Sequence, residues 1–219
     1  MINPIKWLEL ELKRNFTRAI LDTEKNLQNK KRREQKRRQE DRNHLIYYFH
    51  QVDDPYSHLC AQSLPLIEET YDVEIKTFVV PSPTKEAAPE PDLLKSHSLE
   101  DAKIVAPHYG FTFPSVNNLP NDKIIQMAQW AFLYKEDESF ADIIKIGELL
   151  WNDEQSSIEH MFSEPLHEEI LDNTLLKNSK LRKSFGHYLG GVFVYEGECY
   201  LGIDRLSLLE KRLTNLGAK

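Results

Sequence analysis

HLIYYFHQVDDPYSHLC, residues 44–60, is the stretch of this 219-residue chain that decides the fold. Leu45–Phe49 has the length and the aromatic and β-branched content of a buried strand. Asp54 follows as an N-cap candidate, and Pro55 takes the first helical position, where its missing N–H costs nothing. The stretch therefore predicts a strand, a tight loop and a helix whose N-terminal N–H groups favour a thiolate, a carboxylate or an anionic ligand.

The rest of the chain supplies strands and helices in an α/β order. Val73–Val80 alternates like a second strand, and the helical crossover before it makes it parallel to the first. Apolar helical faces within 92–184 predict a helical insertion, and Glu196-Gly197-Glu198 is typical of a hairpin turn. The individual predictions are a helix over His58–Tyr71, one or two helices over Leu93–Tyr109, helices over Asp122–Tyr134 and Ser139–Trp151, hairpin strands Val192–Tyr195 and Cys199–Leu201, and a final helix Arg205–Leu213 capped by Asp204.

Two separated motifs carry a resemblance to a known family. Asp54-Pro55-Tyr56-Ser57 after an aromatic strand, and Gly202-Ile203-Asp204-Arg205-Leu206 after the hairpin, resemble parts of DsbA-like thioredoxin folds. The resemblance is strongest to kappa-class glutathione transferases and 2-hydroxychromene-2-carboxylate isomerases, and it spans Leu45 to about Leu213. It implies an α/β, thioredoxin-like fold with an all-helical insertion, of the DsbA and kappa type, preceded by an N-terminal basic helical arm.

The resemblance also implies a site at the corner between strand and helix. Asp54 matches the position of the family's nucleophilic Cys, or of the Ser that hydrogen-bonds a glutathione thiolate. Because an ionised carboxylate donates no hydrogen bond and repels a thiolate, Asp54 is either a plain N-cap or a general base held ionised by the helix end. The catalytic candidates are Asp54, Ser57 and His50, where His50 is either a partner of Asp54 or a histidine satisfied by the backbone at a strand end. The implied ligand-binding residues are Pro55, Tyr56, His187, Gly191, Val192, Asp204 and Arg205.

Two of these positions depart from the family or carry a second interpretation. Gly191 matches the family's cis-proline before the third strand, so that Leu189-Gly190-Gly191 predicts a shallow, open floor beside the corner. Asp204 matches the residue that holds the γ-glutamyl end of glutathione, but it is equally a candidate N-cap for the last helix. Arg205 beside it is either a ligand contact or a structural ion pair.

The cysteines and histidines exclude two kinds of chemistry. Cys60 and Cys199 have no Cys-x-x-Cys spacing and neither falls on a thiol position of the corner, so dithiol exchange is not expected. Cys60 is interpreted as a small buried hydrophobe. His160 and His167 stand seven apart with no third ligand indicated, so no metal site is predicted. The cofactor that the resemblance implies is glutathione.

The sequence is compatible with two functions. The first is a glutathione- or thiol-linked isomerase, transferase or oxidoreductase acting on small organic molecules. The alternative is a catalytically emptied thioredoxin fold that acts as a binding or interaction module. The missing sulfur and proline favour the binding module. The enzyme is favoured by the retained motif residues Pro55, Tyr56, Ser57, Asp204 and Arg205.

Charge divides the chain into a basic arm, residues 1–43, and an acidic body, residues 44–219. The arm holds 13 Lys or Arg against 7 Asp or Glu, a net charge of +6, and the remainder of the chain is −13. An apolar stripe over Ile5–Leu27 predicts an amphipathic helix that docks on the body or on a second copy in a homodimer. The basic run Lys30–Arg42 is a solvated helix or a contact for anionic surfaces, and no specific nucleic-acid recognition is indicated. With no signal-peptide order and no apolar run of about 18 residues, we expect the protein in the cytoplasm.

Overall fold

The computed structural model describes residues 27–40, 42–114, 119–134, 139–152, 154–160 and 165–218. The chain divides between Asn43 and His44 into two compact units. In the first unit, residues 27–39 form helix α1, where Glu34 accepts hydrogen bonds from Arg37 and Arg38. The predicted apolar stripe up to Ile20 lies outside the described residues. Autonomous folding of the second unit stays a prediction.

The second unit is built on a four-stranded mixed sheet with strand order β2-β1-β3-β4. Strand β1 pairs parallel with β2 and antiparallel with β3, and β3 pairs antiparallel with β4. The elements in chain order are β1 (His44–His50), α2 (Pro55–Gln62), α3 (Leu64–Thr70), β2 (Val73–Val79), α4 (Pro91–Val105), a 3-10 turn (Ala106–Tyr109), α5 (Asp122–Leu133), α6 (Phe140–Leu150), a 3-10 turn (Gln155–His160), α7 (Glu168–Ser184), β3 (Val192–Tyr195), β4 (Glu198–Leu201), a 3-10 turn (Ile203–Arg205) and α8 (Leu206–Leu216).

Strand β1 lies in the centre of the sheet because its side chains are apolar on both faces. Ile46 and Tyr48 join the larger core, while Phe49 packs with Val80 and Val192 on the other face. The helices between β2 and β3 form the predicted insertion, and they bring Phe132 and Trp151 into the larger core. The order of strands and helices is therefore that of a thioredoxin-like fold with a helical insertion, as the sequence predicts.

Two helix predictions differ from the structure, and the hairpin prediction agrees with it. The single helix expected over His58–Tyr71 is two helices, because Pro65 has no N–H for a helical hydrogen bond and α2 ends at Gln62. The final helix begins at Leu206 after a 3-10 turn, and Asp204 lies inside that turn without capping it. The hairpin is confirmed, with positive φ at both Glu196 and Gly197. Among the described helices, none is long and apolar enough to cross a membrane.

Candidate functional site

The corner after β1 is organised by the Asp54 side chain, which caps helix α2. Oδ1 of Asp54 accepts from the Tyr56 N–H at 3.3 Å. Oδ2 accepts from the Ser57 N–H at 3.0 Å and from the Ser57 hydroxyl at 2.7 Å. The carboxylate therefore occupies the anion-binding terminus of the helix itself, where the thiol families hold a sulfur.

Burial changes the ionisation of this carboxyl group. It raises the pKa of Asp54 from 3.8 to about 6, the Asp53 carboxylate adds to the rise, and the hydrogen bonds from Ser57 and Tyr56 oppose it. Desolvation therefore outweighs the N-terminal donors, and a role for Asp54 as a general base held ionised by the helix end stays a prediction. Asp54 is half-buried and changes its protonation close to neutral pH.

Ser57 is part of the protein's own hydrogen-bond network. Its side chain is 0% exposed, its hydroxyl donates to Asp54, and its oxygen accepts from the Gln51 N–H at 3.3 Å. The Ser57 carbonyl accepts from the Tyr48 hydroxyl at 2.6 Å. Ser57 is therefore a hydrogen-bonding group that holds the Asp54 carboxylate, and its catalytic role stays a prediction.

The glycine floor beside the corner is closed, contrary to the prediction of an open surface. Gly190 and Gly191 are both buried. A Cβ added to Gly190 would overlap Gln51 and lie 2.8 Å from Ser57 Oγ, and one on Gly191 would lie 3.4 Å from the same oxygen. Gly191, at φ +61, does face the corner as expected, but the backbone packs against Ser57 and leaves no space for a ligand between them. The described residues contain no cis peptide bond.

His50 is held by Tyr48 rather than by Asp54. The Tyr48 hydroxyl, which donates to Ser57, accepts from Nδ1 of His50 at 3.1 Å. Burial lowers the pKa of His50 to about 3, with a smaller contribution from His58, and the ring stacks on Phe132 with centroids 5.3 Å apart. His50 is therefore a neutral, enclosed histidine and does not form the predicted pair with Asp54.

Asp101 and Asp204 place further negative charge near the corner, where Tyr56 is a neutral hydrogen-bond donor. The Tyr56 hydroxyl donates to Asp101 of α4 at 2.5 Å. Burial and that hydrogen bond raise the pKa of Tyr56, and Asp54 and Asp204 add to the rise. Asp204 is exposed and its carboxylate pairs with Nε of Arg205 at 3.2 Å. Asp204 is therefore close enough to raise the pKa of Tyr56. Arg205 forms an ion pair with Asp204, which is the structural role given above as the alternative to a ligand contact.

The remaining predicted ligand residues are spread over several environments. Pro55 is buried at the start of α2. Val192 is 0% exposed in the apolar cluster with Phe49, so its side chain cannot contact a ligand at the corner, which corrects that prediction. His187 is half-buried and stacks on the exposed Tyr188 with centroids 5.8 Å apart. Of this set, only His187 offers a partly accessible side chain.

The cysteines occupy positions without thiol chemistry. Cys60 is fully buried, as expected, and burial raises its pKa well above the usual range of a thiol. Burial also raises the pKa of Cys199, whose sulfur contacts the Phe185 carbonyl at 3.4 Å. Within the described ranges, no group of three or more metal-ligating side chains comes together.

A cleft adjoining the corner was not predicted from the sequence. It encloses about 430 Å³ at the carboxyl ends of β1 and β2. Asp53 lies in it, with a carboxylate that accepts from the Ser82 hydroxyl at 2.8 Å and pairs with Lys95 at 3.5 Å. The other lining residues come from α5: Asp122, Lys123, Ile125, Gln126 and Gln129. The one available signal was Asp53 itself, which follows a buried strand at the edge where α/β proteins bind ligands.

Comparison with known proteins supports the fold. Neither the protein-family models nor the curated proteins gave a significant match. Among solved structures, that of selenomethionyl 2-hydroxychromene-2-carboxylate isomerase matches with a TM-score of 0.54 and 16% sequence identity, over 78% of this chain and 95% of that one. The chain therefore has a DsbA-like thioredoxin fold with a helical insertion, as the two sequence motifs indicated.

Proposed function

We propose that this protein is an isomerase-type enzyme for small organic molecules, in which the Asp54 carboxyl group transfers protons where related folds use sulfur. The observation that carries the proposal is a half-buried carboxyl at the helix terminus with its pKa raised to about 6. A general acid or base works best when its pKa lies near the operating pH. Perturbed carboxyl groups of this kind cluster at functional sites.

The reaction needs one group that takes a proton and returns it. Ionised Asp54 removes a proton from one substrate atom, and the resulting carboxylic acid delivers the same proton to another, so the isomerisation consumes none. The Ser57 hydroxyl, 2.7 Å from Oδ2, and the Ser57 N–H hold the carboxyl in one orientation throughout. No thiol takes part in either step.

The substrate class follows from the cleft and from the structural neighbour. A volume of about 430 Å³ suits a small molecule. Lys95, which pairs with Asp53, and Lys123 line the cleft beside the carboxylates Asp53 and Asp122, while Ile125 adds apolar surface. The neighbour's name states that it isomerises 2-hydroxychromene-2-carboxylate, which is an aromatic acid. We therefore propose small aromatic hydroxy acids as the substrates.

Glutathione is not required for this chemistry. The Asp54 carboxylate already uses the N–H groups of Tyr56 and Ser57 that would stabilise a thiolate. Its negative charge, with Asp204 nearby, opposes a second anion at the same place. Any glutathione that binds is expected to do so weakly in the wild-type protein.

A second candidate function is a binding module with an inactive corner. The closed floor favours it, since Gly190 and Gly191 pack on Ser57 and leave that residue 0% exposed. In this case Asp54 is only the cap of α2, and the cleft at Asp53 binds a ligand without converting it.

The test is turnover of 2-hydroxychromene-2-carboxylate, followed by its ultraviolet spectrum, with and without glutathione. We expect a rate that rises with pH through about 6 and does not depend on glutathione. Asp54→Asn should lower the rate by about 10² to 10⁴, the usual contribution of a general base. The matched control is Asp92→Asn, which removes an exposed carboxylate from the first turn of α4.

Each outcome decides between the candidates. Full activity in Asp54→Asn would show that Asp54 transfers no proton. Absence of turnover in the wild type over a panel of aromatic hydroxy acids, together with measurable binding of one of them, would favour the binding module.

A further inference from the structure

Helix α7 carries a buried arginine, two of whose side-chain nitrogens have no partner among the described residues. Arg182 is 2% exposed, and its Nε and Nη1 atoms make no hydrogen bond. One turn earlier on the same helix, Asn178 is also buried, but its amide donates to the Val79 carbonyl at 2.9 Å. The inner face of α7 therefore satisfies one polar side chain and leaves the charged one unsatisfied.

An unpaired guanidinium inside a protein is unfavourable, because its charge and its N–H groups lose water without compensation. Arg212 provides the comparison within the same chain: its Nε and Nη2 also make no hydrogen bond, but the Glu198 carboxylate lies 4.0 Å from Nε and offsets the charge. No carboxylate pairs with Arg182 in the described part of the chain, and its Nε and Nη1 have no hydrogen-bond partner there. Arg182 therefore lacks a negatively charged partner.

His187, which follows the end of α7, supplies a second donor. The Leu189 N–H donates to Nδ1 of His187 at 3.2 Å, so Nδ1 is unprotonated in the neutral ring and Nε2 carries the hydrogen. His187 is near enough to Arg182 for the guanidinium charge to lower its pKa, after the larger effect of burial. His187 is only half-buried and Tyr188 beside it is exposed, so solvent reaches His187 although the guanidinium itself is buried.

We propose that Arg182, with His187 beside it, forms a binding site for a small oxyanion, either a carboxylate or phosphate. Guanidinium groups bind both through charge-assisted hydrogen bonds. The 2% exposure of Arg182 limits the ligand to a small anion or to the acidic end of a larger molecule. This site is separate from the proposed reaction at Asp54: Leu181 and Phe185, which flank Arg182, pack in the cluster of Phe49 and Val192.

The experiment measures the thermal midpoint of the full chain with sodium acetate, sodium formate or sodium phosphate, each against sodium chloride at equal ionic strength. Above its Kd, a bound anion is expected to raise the midpoint by about 3 to 5 °C for each tenfold increase in concentration. The rise should be absent in Arg182→Met and present in the matched control Arg212→Met. A rise with acetate and formate identifies a carboxylate site, and a rise with phosphate alone identifies a phosphate site.

The same rise in Arg182→Met and in the wild type would overturn the proposal, since the anion would then act elsewhere. No specific rise with any of the three anions would also overturn it. If Arg182→Met does not fold, the Arg182 Nε–H resonance of the wild-type protein, assigned with Arg182→Lys, is followed by NMR during titration with acetate and phosphate. A saturable shift supports the site, and an unchanged resonance contradicts it.

Discussion

Replacing Asp54 by Asn is expected to stabilise the protein at neutral pH, because the ionised carboxylate is held in a buried position. Asn keeps one acceptor oxygen at the N-cap of α2, so the two hydrogen bonds from Ser57 can still form, while the 3.3 Å bond from the Tyr56 N–H is lost. What the substitution removes is the cost of ionising a carboxyl whose pKa rises from 3.8 to about 6 on folding. The size of the effect follows from that rise.

A difference of about 2 pH units corresponds to about 3 kcal/mol at 1.36 kcal/mol per unit. The folded state binds this proton more tightly than the unfolded state, so the contribution of Asp54 to stability is greatest below pH 3.8. It is lost as the pH rises from 3.8 to about 6 and stays constant above that. Relative to the wild type, Asp54→Asn should therefore gain up to about 3 kcal/mol between pH 4 and pH 7.5, offset at every pH by about 1 kcal/mol for the lost hydrogen bond from Tyr56.

The assay is urea denaturation of both proteins at several pH values between 4 and 8, followed by circular dichroism. Asp92→Asn, which removes an exposed first-turn carboxylate from α4, controls for the general loss of one charge. The reasoning is refuted if Asp54→Asn is less stable than the wild type at pH 7.5 and the deficit grows with pH. That result would mean that the helix terminus and its hydrogen bonds hold the carboxylate ionised.

Other substitutions probe the packing, the thiols, the arm and the corner. Gly147→Ala is expected to lower the free energy of unfolding by about 1 to 2 kcal/mol in chemical denaturation. The added Cβ would lie 2.8 Å from His58 Cε1, and this overpacking outweighs the gain in helix propensity. In a His58→Ala background the same change should be neutral or stabilising. The protein should show no insulin reduction or dithiol oxidation, and activity that is lost in Cys60→Ser/Cys199→Ser would contradict this. A protein that lacks residues 1–43 should still unfold cooperatively on heating. A molten product would contradict the prediction that the folded body begins at His44. Asp54→Ser should strengthen the binding of glutathione by roughly 1 to 2 kcal/mol in isothermal titration, since it restores a hydrogen-bond donor and removes a negative charge. Undetectable binding in both proteins would show that glutathione is not a ligand of this site.

Local sequence signals were sufficient for the corner and the order of elements. Asp54 and Pro55 mark the start of α2 through capping chemistry that depends only on neighbouring residues, and the structure has both in those roles. Gly197 marks the hairpin for the same reason. The end of α2 was missed although Pro65 is visible in the sequence, because a Pro near a helix start is also compatible with one continuous helix.

The chemistry of the site depends on contacts between distant parts of the chain, which sequence spacing does not reveal. Gly190 closes on Ser57 only because β3 pairs beside β1. The raised pKa of Asp54 comes first from burial, which is a property of the folded core. The cleft combines Asp53 with Lys95 and Lys123, which come from three separate elements. Asp204 was expected as a cap because a 3-10 turn cannot be distinguished from a helix start by its residues alone.

The most direct test of the proposed role of Asp54 is the pKa of its carboxyl group, measured by carbon-13 NMR in the full-length protein. The resonance is identified by its absence from Asp54→Asn and followed from pH 3 to pH 9. Proton transfer by Asp54 predicts a midpoint near 6. A midpoint below about 4, the value of an ordinary or stabilised aspartate, would contradict it and leave Asp54 as a helix cap.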